Sequence, residues 1–184
     1  MTFMKYRLSL VLLAAASVAC NDSTAPPTED FESLPADQVI TNVEHFITSD
    51  GVRRAHLQAD TAYMFEDSTT THLRVVRLEM FDDAGNLTST LTSDKGVYNN
   101  ATQMTIAIGN VVVIKPGADG RTIWTEELHY DPTTKRVWSD VRTRMLTAGG
   151  PDVHAESFTS DDQFTNISTT GGAGTGLPLP LNRR

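Results

Sequence analysis

The side chains that most resemble a catalytic set are four acids, Asp60, Asp94, Glu126 and Glu156. Paired carboxylates can hydrolyse a glycosidic bond, one as acid and the other as base or nucleophile. These four do not read as such a pair, because each holds the same place in a recurring unit: "ADTAY" (59–63), "SDKGVY" (93–98), "TEELHY" (125–130) and "AESF" (155–158). A repeated acid beside a strand fits a structural task, such as accepting a neighbouring turn's N–H. His45, His56, His72, His129 and His154 are scattered, and no two stand at metal-ligand spacing. "FDDAGN" (81–86) puts two acids beside a glycine but lacks the further spaced oxygens of a calcium loop, so it reads as a hairpin turn. Cys20 is the only cysteine, which rules out an intramolecular disulfide and a cysteine zinc site. No nucleophile motif, phosphate loop or cofactor motif appears. The expectation is a protein that is not an enzyme and carries no cofactor or metal, and a secreted β-sandwich hydrolase is disfavoured.

Bulk charge narrows the class further. The 184 residues carry a formal net charge of −8 with no lysine- or arginine-rich block, so nucleic acid is not an expected partner. The first residues, "MTFMKYRLSLVLLAAASVAC", combine Lys5 and Arg7, an apolar run from Leu8 to Ala19 and small residues before Cys20, which is an export signal. The run falls short of the roughly 20 residues of a membrane-spanning helix. Removing 1–19 takes the charge from −8 to −10.

Between the ends lies one folded region. "NDSTAPPTEDFESLPADQ" is rich in proline, small polar and acidic residues and reads as a tether over 20–36. "STTGGAGTGLPLPLNRR" has the same character, so 167–184 is expected to be a disordered tail. The domain is placed at 37–166. Inside it no helical period persists, and strand signals dominate. "AHLQADTAYMF" (55–65) sets Ala55, Leu57, Ala59, Tyr63 and Phe65 on one face; "RVVRLEMF" (74–81) does the same for Val76, Leu78 and Met80; Leu91 begins the next apolar set. Short turns at 82–85, 99–103 and 131–135 imply about eight antiparallel strands. The four acid-bearing units start 34, 32 and 30 residues apart, a repeat of two strands and a turn that stacks hairpins. Ile106, Ile108, Val111 and Val113 would all face inward if Gly109-Asn110 forms a bulge that resets the alternation. Whether that interior is a dry core or a lipid groove stays open on the residues alone.

The ordered series "GVRRAHLQAD", "SDKGVYNNATQMTIAIGNVVV" and "GRTIWTEELHYDPTTKRVWSD" resembles the OstA-like repeats of bacterial lipopolysaccharide-export proteins. With Phe46, Gly51, Arg53, Ala55, Leu57, Ala59 and Asp60 near the start of the domain, the chain is most similar to the LptC family over about 39–165. The resemblance implies an all-β, folded-over antiparallel β-jellyroll, V-shaped, whose apolar interior takes the acyl chains of lipopolysaccharide. On that reading Leu57, Tyr63, Phe65, Val76, Leu78, Met80, Leu91, Ile106, Ile108, Val111 and Val113 line the groove. It also implies docking on an inner-membrane ABC transporter and delivery to a periplasmic LptA-like jellyroll by strand addition, with Val153, Ala155 and Phe158 at the receiving edge. "SVAC" resembles the lipobox, which makes Cys20 the lipidated first residue of a mature, membrane-anchored periplasmic lipoprotein, where the family commonly keeps a transmembrane helix. Apart from that resemblance, a surface or outer-membrane β-sandwich lipoprotein serving as a binding module is the alternative.

Overall fold

The computed structural model describes residues 36–175 apart from Asp50 and Asp67. The expected signal peptide, Cys20 and the tether lie outside the described residues. Twelve strands form one antiparallel sheet: β1 Gln38–Ser49, β2 Val52–Met64, β3 Thr70–Phe81, β4 Leu87–Asn99, β5 Thr105–Lys115, β6 Arg121–Asp131, β7 Arg136–Ser139, β8 Thr143–Thr147, β9 Asp152–Ala155, β10 Ser157–Asp161, β11 Ile167–Thr170 and β12 Ala173–Thr175. β6 pairs β7 with its final residues and β8 with its first, so β7 and β8 are the two halves of one strand broken at 140–142. β9 with β10, and β11 with β12, divide in the same way, at Glu156 and at 171–172. The chain is therefore a meander of nine long strands, one more than the turns in the sequence suggest.

A single line of irregularity crosses every long strand at mid-length. In β2, β3, β4 and β6 buried positions alternate in steps of two on either side of it and jump by three across it: Ala59 to Ala62, Leu73 to Val76, Ser93 to Gly96, Thr125 to Leu128. β1, β3, β5 and the β11/β12 strand carry left-handed residues there, Asn42 (φ 53), Val75 (φ 50), Gly109 (φ 77) with Asn110 (φ 46), and Gly171 (φ 63). Registers set Asp60 opposite Asn42 and Val75, Asp94 opposite Val75, and Glu126 opposite Gly109-Asn110. The repeated acids thus stand, exposed, on the outside of a crease about which the sheet folds over. Asp94 accepts a bond from Asn110 Nδ2 at 2.7 Å, and a Cβ on Gly171 would sit 2.7 Å from Glu156 Cδ. On the inner side Thr125, Ser139 and Thr143 join β6, β7 and β8 through buried hydroxyl bonds of 2.9–3.5 Å, which satisfies their polar atoms.

The crease corrects the expected faces. Because each strand changes sides there, Tyr63 and Phe65 leave the face of Leu57: Tyr63 pairs with His72, and Phe65 meets the same ring edge-on at 5.5 Å. The bulge at Gly109-Asn110 is present, and the register slips between Ile108 and Val111. Its extra residue adds to the crease's own change of side, so Ala107, Val111 and Val113 are the buried set. Ile106 and Ile108 are half-buried and pair with His129 and Glu127 on the outer face.

The chain end is corrected too. The expected tail contributes β11 and β12, which pair with β10 and β9. Val153, Ala155 and Phe158 therefore lie in paired strands, and Ala155 and Phe158 are buried. The free edges among the described residues are β1 and the β11/β12 strand. Glycine-rich, threonine-rich sequence concealed this last strand because the crease needs a left-handed residue at 171.

Candidate functional site

Folding the sheet brings its two rows of turns together along one seam. Leu57, Val76, Leu78 and Leu91 from one half face Gly96, Ala107, Leu128 and Tyr130 from the other. The space left between them is only about 20 Å³. One water already needs about 10–15 Å³ on such a measure, so the interior is a packed core. Of the groove positions expected from the sequence, Leu57, Val76, Leu78, Met80, Leu91, Val111 and Val113 belong to this core. The remaining four lie on the outer face, as described above.

The seam itself is partly open. A cleft of about 430 Å³ runs between the two rows of turns, floored by Ile47, Ala55, Met80 and Phe81 and walled by Arg54, Asp83, Lys135 and Asp162. Arg54 is ion-paired with Asp83. Burial pushes the Asp162 carboxyl up against the pull of Lys135. Tyr130 borders both the cleft and the interior space, and burial raises its phenol to about 12, helped by Asp162 and Asp131. Beyond the cleft the seam is closed by the turn after β10, whose Phe164 is 0% exposed and whose carbonyl accepts from Lys115 Nζ at 3.5 Å. Sequence reasoning missed Tyr130 and Phe164; the one signal was an aromatic inside the polar turn "DDQFTN".

Turns on one row share a construction. Asn99 Oδ1 accepts the N–H of Ala101 and Thr102, Asp131 Oδ1 those of Thr133 and Thr134, and Asp161 those of Thr165 and Asn166. Side chains that mimic a backbone turn fix each reversal. Asp82 is spent likewise on Ala84 and Asn86, whose side-chain and backbone bonds hold its carboxyl below the usual range. Among the described residues no group of acids, histidines or cysteines is placed to hold a metal. Arg54 reaches the cleft, whereas Arg53 stacks over Phe46 at 4.7 Å and Arg77 bonds Glu79 at 2.9 Å.

Tyr130 carries a pH prediction. An unfolded tyrosine ionises near pH 10, whereas this one stays neutral to about 12. Its contribution is complete below pH 10 and is lost as pH rises toward 12, since the unfolded chain releases the proton first. Denaturant unfolding at stepped pH should show wild-type stability falling more steeply over that window than Tyr130→Phe. Parallel curves would refute the burial argument.

Comparison with known proteins places this geometry. No curated protein matches the sequence. The chain superposes on the crystal structure of LptH from Pseudomonas aeruginosa, the LptA-homologous periplasmic component of the lipopolysaccharide transport device. The TM-score is 0.53 at 14% identity, over 67% of this chain and 95% of that one. At that identity the likeness concerns the fold, an unclosed and folded-over sheet. The family described as Lipopolysaccharide-assembly, LptC-related matches residues 8–163. Its span covers the whole repeat series and most of the folded sheet, and the chain belongs to this LptC-related family.

Proposed function

We propose that this protein carries lipopolysaccharide through the periplasm, receiving it from an inner-membrane ABC transporter and passing it to the next periplasmic jellyroll. Membership of a family of transport scaffolds makes it a binding component rather than an enzyme. The observation that carries the reading is an unclosed sheet folded around an apolar interior that meets solvent along one seam. Acyl chains are held there by apolar burial alone, worth about 0.8 kcal/mol per methylene. Delivery by strand addition uses a free edge, where unpaired N–H and C=O groups accept another chain. With Val153 to Phe158 enclosed, that edge is Ile167–Thr170 and Ala173–Thr175. Cys20, lipidated, anchors the protein to the inner membrane. Photo-crosslinking residues at Leu78 and Leu91 should capture lipopolysaccharide in cells, whereas Arg77 and Ile108, on the outer face, should not. Equal capture from both faces would exclude an interior site.

A further inference from the structure

Every buried apolar side chain among the described residues lies in a strand except one, Phe164, and it is the largest of the fully buried set. Its backbone is left-handed (φ 52), a conformation a bulky residue rarely holds. The turn that carries it is held from outside the core. Asp161 accepts from Thr165 N at 2.7 Å and from Asn166 N and Nδ2 at 3.1 and 2.8 Å, while Lys115 Nζ reaches Phe164 O and Thr165 Oγ1. A strand residue cannot leave the core without breaking sheet hydrogen bonds. Phe164 can leave by a change in one turn. The two residues before it, Asp162 and Gln163, already line the 430 Å³ cleft.

The interior space of about 20 Å³ cannot admit an acyl chain as it stands. Something must move, and this turn carries the one buried apolar side chain among the described residues that no sheet pairing holds in place. We propose that Phe164 is a removable plug and that the position of its ring is a binding position for a fatty acyl chain, entered from the cleft between Arg54 and Lys135. The inference rests on the lipid-carrier reading. When an acyl chain enters, the ring moves to solvent, and apolar burial by the ligand replaces apolar burial by the side chain. The plug keeps the core dry and closed while no lipid is bound.

The test uses the full chain with 4-fluorophenylalanine at position 164 and hexaacylated lipid A in dilute detergent as probe. Lipid A should shift the fluorine resonance from a buried to a solvent-exposed environment, saturating in step with lipid A crosslinking to a photoreactive residue at Leu78. Phe164→Ala should bind lipid A on the order of tenfold tighter, because no ring has to be displaced. If lipid A crosslinks at Leu78 while the fluorine stays buried, the plug is refuted and the carrier reading stands. Absence of lipid A crosslinking at Leu78 in the fluorinated chain would overturn both. Should Phe164→Ala fail to fold, the resonance and crosslinking measurements decide the question without it.

Discussion

A chain ending at Asn166 is expected to lose several kcal/mol of stability and to be recovered largely as aggregate. The truncation removes β11 and β12, and with them four residue pairings to β10 and three to β9. It also removes Ile167, which is half-buried and packs against the core. At about 0.5–1.5 kcal/mol per backbone hydrogen bond, plus part of the roughly 1.5–3 kcal/mol of a fully buried aliphatic for half-buried Ile167, the loss is comparable to the whole stability of an ordinary domain. The newly exposed β9 and β10 would present a fresh pairing edge, which favours association. Chemical denaturation and gel filtration of the truncated chain against one ending at Thr175 provide the check. Equal midpoints and equal monomer fractions would mean that the last strand is dispensable.

The second large effect concerns Cys20. If it carries the lipid anchor, Cys20→Ser should move the protein from the membrane fraction to the soluble periplasmic fraction almost completely. A single acyl chain gives only marginal binding and two or more hold firmly, so loss of a multiply acylated cysteine acts as a switch. Fractionation combined with intact mass of the mature protein decides the matter. A membrane-bound serine variant, or a mature wild-type chain without lipid mass, would discard the anchor.

The hairpin series was legible because its signals are local. Asn99 and Asp131 follow Tyr98 and Tyr130 at the strand ends, and each caps its turn as "YNNATQ" and "YDPTTK" suggest. The repeated acids were legible as structural, and the register sets Asp60, Asp94 and Glu126 on one crease. What the sequence hid is how strands change face. Val75 adopts a left-handed conformation that its side chain disfavours, so nothing in "RVVRLEMF" marks the switch. Leu57, Leu78 and Val111 face inward as the alternation suggests, because each lies on the same side of the crease as its neighbours in the pattern. Tyr63 and Phe65 lie across it, where alternation carried over from the other half is inverted, whereas in β5 the bulge and the crease cancel, so Ala107, Val111 and Val113 share one alternation that leaves Ile106 and Ile108 outside. The last strand escaped because its halves are four and three residues long, below the length at which alternation can be read.

The repeated crease also relates the sheet's length to its number of hairpins. Each pair of strands brings its own fold point, with an acid on one strand and a left-handed or broken segment on the next, so no pair depends on its position in the series. At about 4.8 Å between strands, nine long strands span roughly 40 Å along the fold line, and every further hairpin would add about 10 Å. The distance that such a sheet can span is therefore counted in whole hairpins of about 30 residues, as a rod is lengthened by adding identical segments.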